Sequence, residues 1–369
     1  MIQNKCKRLF FSKLFLIGLG IKIGCLFFFP TFFPKELFIP FFDNAITHLG
    51  LNPWSLSPPS FFPYGGALFA ILAFPKFILF WLLGPTALGA GPIGLFALKF
   101  PLLVCDIALF FVLTDLVPER VKSLEKYYWL NPVLFYISYI YGQLDVVSTT
   151  LLVVSLYSLI KRHTVLSGLF MGLAVGSKFH VAVCIPFIII YLWNRHYKTA
   201  AFVRIFKWLC ITFVTSFLAF LPVLLAERGG YVTLGSPEVL RLFATQIPLT
   251  EGSTLYLGVI FILLVLGRLI ISTRISELGL IYGSGFLISS ILVSSHAAAG
   301  WFFWCLPFLS LFFAMYLNVP IFLFYALNSV YFIVFVFSDY FPNNYVLGFS
   351  FQNILCKCSL PLVSNVRPY

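Results

Sequence analysis

Charge is scarce in this chain: 369 residues carry twelve Asp and Glu and twenty-four Lys and Arg, so only 10% of positions are charged. That is too little to give a soluble domain of this length its solvated shell. No polar stretch is long enough to fold alone, no repeat has a solenoid period, and the period-two alternation of a membrane barrel is missing. No N-x-S/T sequon with x other than Pro occurs. Its absence favours a bacterial plasma membrane over passage through a glycosylating compartment. There is no D-x-D pair either: Asp43 is followed by Asn44 and Asp145 by Val146, so no divalent metal is expected. Of the eight cysteines, Cys25, Cys105, Cys184, Cys210 and Cys305 lie within apolar runs and read as small hydrophobes. Cys356 and Cys358 belong to the tail, and no disulfide framework or metal spacing follows.

What the chain does have is long apolar runs, with 61% hydrophobic residues overall. A helix of about 20 apolar residues crosses the hydrocarbon core and satisfies its own backbone there. The fold class expected is therefore an all-α polytopic membrane protein. Spans are placed near residues 14–33, 99–117, 128–141, 146–160, 164–177, 180–193, 208–226, 254–267, 278–294, 301–317 and 320–338. They form a single transmembrane domain over 1–338 with about eleven spans; residues 339–369 are a tail without assignment. The first run follows Lys5, Lys7, Arg8 and Lys13, is too long for a secretory signal core, and is read as a retained helix with a cytoplasmic N-terminus.

The net charge of +12 sits in short basic clusters between apolar runs, the pattern of cytoplasmic loops and not of a nucleic-acid surface. All clusters fall on one side if residues 62–84, interrupted by Pro63, Gly65, Gly66 and Pro75, re-enter within one long outer loop over about 34–98. Asp43, His48, Asp106, Asp145, Lys178, Arg228, Glu238, Arg241, Glu251 and His296 then gather toward the outer face. Ionisable groups at membrane depth are functional candidates by default. Asp106 lies inside a span and is expected to pair with Lys99 or Lys178 as part of the architecture. His48 and His180 are assigned to packing.

"WLNPVLFYISYIYGQLDVVSTTLLVVSLYSLIKR" and the following "LSGLFMGLAVGSKFHVAVCIPFIIIY" carry a resemblance. A short span ending in G-Q-x-D, an apolar helix closed by Lys-Arg, a G-x-x-x-G-x-A-x-x-x-K helix and a Pro-containing span are similar to the GT-C fold glycosyltransferases. The likeness is nearest to bacterial polyprenyl-phosphate-mannose mannosyltransferases and the catalytic subunit of GPI mannosyltransferase I. It extends over much of residues 10–320, and its more specific part is 145–186. It implies a GT-C type helical bundle, a polyprenyl-phosphate sugar donor, and a lipid-linked or glycan acceptor at the outer membrane face. No other cofactor is implied.

The resemblance makes Asp43, in the first outer loop, the expected catalytic base, taking the proton of an acceptor hydroxyl in an inverting transfer. Solvating or capping a short helix over residues 40–49 is the alternative. Asp145 is implied to contact acceptor or donor, with an N-cap as its alternative, and His296 to contact phosphate or acceptor. Trp54 and Tyr64, in a proline-stiffened loop, supply rings for an interface or a sugar face. A departing lipid phosphate needs cations outside the cytoplasmic bias, which Lys178, Arg228 and Arg241 meet; Arg241 with Glu238 is equally a surface ion pair. Two other classes handle related substrates: a transporter or flippase of lipid-linked sugars, and an O-antigen polymerase or ligase. The first is disfavoured by the lack of paired halves, the second by the early position of the longest outer loop.

Overall fold

The computed structural model describes residues 12–195, 198–227, 245–250, 253–271, 275–295, 299–316, 321–336, 345–346 and 349–350. Arg228, Glu238, Arg241, Glu251 and His296 lie outside the described residues.

The chain is predominantly helical. Helices α1 (Lys13–Leu26), α2 (Ile39–Thr47), α3 (Gly66–Leu83), α4 (Pro92–Leu116), α5 (Asp145–Ile160), α6 (Thr164–Ser177), α7 (Ile185–Arg195) and α8 (Lys198–Leu224) build the first two thirds. They are followed by α9 (Leu257–Ile271), α10 (Glu277–Ser294), α11 (Leu306–Met315) and α12 (Ile321–Tyr331). A short antiparallel hairpin, Gln246–Thr250 with Ser253–Tyr256, precedes α9. Among the described residues, three helices, over Gly66–Ala87, Pro92–Leu116 and Thr199–Leu224, are each long and apolar enough to cross a membrane. A fourth crossing is possible for Pro132–Ile140 and Asp145–Ile160 together, which meet at 120°. The remaining apolar helices are shorter.

Three helices define the long axis. Phe15 stacks on Phe110 and Phe27 on Phe96, so α1 runs antiparallel to α4. Thr150 Oγ1 donates to Cys105 O and Tyr157 OH to Asp115 Oδ2, so α4 and α5 run side by side in the same direction. Lys13, Arg120 and Lys161 therefore share one end of the bundle, and Asp145 lies at the other. At the basic end Lys161 sits 3.0 Å from Asp115, whose hydrogen bond holds the ammonium above its usual pKa.

Small residues set the next layer. Ser155 donates to Ser167 O across α5 and α6. On the far side of α6, Gly168, Gly172 and Gly176 form one stripe, and a Cβ on any of them meets Trp208, Thr215 or Ala219 of α8. Such stripes let apolar helices approach at backbone distance. The contact is also hydrogen-bonded: Thr212 donates to Gly168 O at 3.2 Å and Ser216 to Gly172 O at 3.1 Å. The start of α3 wedges into this crossing, because a Cβ on Gly65 collides with Gly176 O and one on Gly66 with Ala219 O.

Several expectations are corrected here. From Gly66 to Leu83 the run is one unbroken helix: Pro63 and Gly65 precede α3, Gly66 opens it, and Pro75 sits within it. The Ile71 carbonyl freed by Pro75 does not end the helix, whose flanks keep their own bonds. The first span stops at Leu26, not Phe33, where Phe29 adopts φ +66° ahead of Pro30. Helix α8 begins ten residues before the expected 208, so Arg204 and Lys207 ride on a helix and not in a loop. Asp106 pairs neither with Lys99 nor with Lys178. Its Oδ2 lies 2.7 Å from Lys22 Nζ of α1, and it accepts hydroxyl bonds from Tyr128 and Tyr139 at 2.8 and 2.7 Å. Lys99 instead donates to the carbonyls of Phe28, Phe29 and Tyr139, tying down the strained end of α1.

Candidate functional site

Asp145 owes its position to a sharp reversal. Gly142 has φ +76°, and a Cβ there runs into the ring of Pro34, so only glycine fits this turn. Gln143 N then bonds Ile137 O at 2.9 Å, and the chain re-enters the bundle as α5 with Asp145 as its first residue. The carboxylate makes no cap: the N-cap residue is Leu144 and no side chain caps the helix. The N-cap alternative is thereby overturned, although an anion in the first turn still suits the helix dipole.

The side chain turns inward. Lys178 Nζ lies 2.6 Å from Asp145 Oδ1, and the same oxygen accepts the indole N–H of Trp304. Asp145 is fully buried and the Lys178 side chain is 5% exposed. Lys178 reaches it because α6 ends there: the residue takes an extended conformation while its N–H still bonds Ala174 O. The ammonium also stands 4.4 Å from the ring centre of half-buried Tyr64. A desolvated cation over an aromatic face gains about 0.5–2 kcal/mol.

Trp304 belongs to the tight turn Ala299–Trp304, where residues three apart eclipse. Trp301 consequently stacks on Trp304 at 4.8 Å, and His180 covers the other face at 3.5 Å. Packing does account for His180, as expected; His48 is instead exposed, bonded to Asn44 O through Nδ1. The second carboxylate oxygen, Asp145 Oδ2, is buried with no hydrogen-bond partner among the described residues. Opposite it stands Gly300, where a Cβ would lie 2.9 Å from that oxygen. An unsatisfied buried carboxylate oxygen is costly, and in a native fold it marks a place for a donor group.

Asp43 forms a separate cluster at the same end. It lies in the middle of α2, so it caps nothing in its own helix. Its Oδ2 accepts the N–H of Gly89 at 2.7 Å, and Oδ1 is 2.8 Å from Lys76 Nζ of α3. Lys76 is fully buried and also donates to Ala87 O, whereas the Asp43 side chain keeps 19% exposure. The carboxylate is thus oriented from behind and open in front. Trp54 is a correction: at 2% exposure it packs among Phe41, Phe62 and Phe69 and donates to Phe62 O. It is core, not a ring offered to a sugar.

The fold therefore brings Asp43, Tyr64, Asp145 and Lys178 to one end of the bundle, and joins only the last three directly. Sequence reasoning missed Lys76, Lys22 and Trp304. The two lysines carried a usable signal, since each interrupts an apolar run without lying in a basic cluster. Trp304 carried little, because 19% of the chain is aromatic.

No family model matches the chain, and neither the curated proteins nor the solved structures contain a match.

Proposed function

We propose that this chain is an integral-membrane glycosyltransferase of GT-C type with about eleven crossings, counting the shorter and broken helices. It moves a hexose, with mannose favoured by the resemblance, from a polyprenyl-phosphate carrier to a glycolipid or glycan acceptor. Transfer takes place on the extracytoplasmic face of a bacterial plasma membrane, with the N-terminus cytoplasmic. The observation that carries this reading is the buried Asp145–Lys178–Trp304 cluster, set at the same end of the bundle as the half-open Asp43 carboxylate. The basic residues Lys13, Arg120 and Lys161 gather at the opposite end, as the cytoplasmic bias requires.

In the proposed reaction Asp43 takes the acceptor hydroxyl proton as that oxygen attacks the anomeric carbon. The bond from this carbon to the phosphate oxygen breaks on the opposite face, and its electron pair stays with the polyprenyl phosphate. Lys76 and the Gly89 N–H hold the base in place and aimed. Lys178 has three donors, of which Asp145 uses one, and the others are available to the phosphate. Arg228, Arg241 and His296 are proposed for the same anion, with Tyr64 beside it. Asp145 holds the buried lysine in place.

The test is transfer by purified protein in proteoliposomes supplied with short-chain polyprenyl-phosphate mannose and lipid acceptors. General-base removal typically lowers rates by about 10²–10⁴-fold. Asp43→Asn is expected to fall in that range per folded molecule, the rate being normalised to folded yield because buried Lys76 loses its carboxylate partner. Full activity in that variant removes Asp43 from the base role. Substrate flux across sealed vesicles without transfer favours a transporter.

A further inference from the structure

The end of the bundle remote from Asp145 holds a cavity of about 960 Å³ that the proposed reaction does not use. Arg162, His163, Arg195, Arg204 and Lys207 line it together with Leu166 and Leu169, and no acid is among the described residues of its wall. Helix α5 separates it from Asp145 by about 24 Å.

Arg162 is the telling residue. Helix α5 ends in a Schellman turn, with Arg162 N bonded to Leu159 O at 3.0 Å and His163 N to Ser158 O at 2.8 Å. The position Arg162 occupies has φ +67°, a left-handed conformation that glycine adopts freely and arginine resists. The chain thus keeps a guanidinium in the lining of the cavity against the preference of its own backbone. Immediately beyond, α6 begins at Thr164 with no side chain capping its first N–H groups. Open helix N-termini beside arginines suit phosphate.

The apolar part of the lining indicates what the phosphate is attached to. Leu166 and Leu169 are 42% and 39% exposed, and Phe202 and Phe206 continue an exposed apolar face on α8. Charged groups above exposed apolar rows match the headgroup and chains of a lipid. We propose that this cavity binds the phosphate headgroup of an anionic phospholipid whose acyl chains lie along Leu166 and Leu169. Arg195, already 2.8 Å from Glu277, forms its fixed back wall. Arg162, Arg204 and Lys207 close on the ligand.

The experiment measures thermal unfolding of the full chain in detergent with added phosphatidylglycerol, phosphatidylcholine or inorganic phosphate. Phosphatidylglycerol is expected to raise Tm and phosphatidylcholine to leave it unchanged. Arg162→Gly relieves the turn, so its lipid-free Tm is expected to equal or exceed that of the wild type while the phosphatidylglycerol shift drops by at least half. Arg204→Gln with Lys207→Gln is expected to reduce the shift similarly. Equal shifts from both lipids, or an undiminished shift in both variants, overturn the site. A shift reproduced by inorganic phosphate alone overturns a lipid as its occupant.

Discussion

Lys178 and Asp145 stand 2.6 Å apart although 33 residues separate them in the chain, and both are buried. Breaking a buried pair from one side leaves an uncompensated charge and typically costs about 3–5 kcal/mol, whereas replacing both partners costs much less. Asp145→Asn and Lys178→Met are each expected to destabilise by about that amount. The double variant is expected to be more stable than either single one. Thermal unfolding in a double-mutant cycle reads the coupling.

The Lys22–Asp106 pair lies deeper and is closed by two tyrosine hydroxyls, with the ammonium 3.3 Å from the Trp129 ring centre. Asp106→Asn is expected to lose about 3 kcal/mol of stability or more. Adding Lys22→Met is expected to recover part of it. Sugar transfer, measured on whatever folds, is expected to persist in the double variant, because this network touches no residue of the proposed site.

Gly172 tests the helix contact that delivers Lys178. A side chain here meets Thr215 and Thr212 O of α8. Gly172→Val is expected to cost about 1–3 kcal/mol through overpacking. It is also expected to reduce transfer more than it reduces folded yield, since α6 carries Lys178 at its end. Folded yield by size exclusion and rate per folded molecule separate the two effects.

The bundle's two ends are expected to face opposite compartments. His48→Cys, exposed next to the Asp43 helix, is expected to react with an impermeant maleimide from outside spheroplasts. Lys161→Cys is expected to react only from inside. Labelling of both from one side overturns the orientation.

Some of this was legible in the sequence. An acid inside a span announced a buried pair, whereas the glycines of "LSGLFMGLAVGSK" entered only as part of the resemblance and prove to set the close contact with α8. The identity of the pair was hidden, because Lys22 reaches Asp106 across 84 positions. Lys99, two turns before Asp106 on the same helix, spends its donors on the carbonyls of Phe28 and Phe29 past the end of α1 and on Tyr139 O. Pro75 read as a break because proline removes one helical bond, yet eighteen residues of α3 run through it. The role of Trp54 was misread for a related reason: a ring flanked by prolines has the same sequence signature at an interface as in an aromatic core. Asp145 was singled out through the resemblance and Lys178 as a cation outside the cytoplasmic bias; that the two pair with each other was hidden, because 33 positions separate them.

The account stands most directly on the stereochemical course of one turnover. Purified protein given polyprenyl-phosphate mannose and a lipid acceptor is predicted to release one polyprenyl phosphate for each sugar transferred. The product linkage, read by nuclear magnetic resonance, is predicted to be inverted at the anomeric carbon. A linkage with retained configuration, or labelled donor crossing sealed vesicles with its sugar still attached, contradicts it.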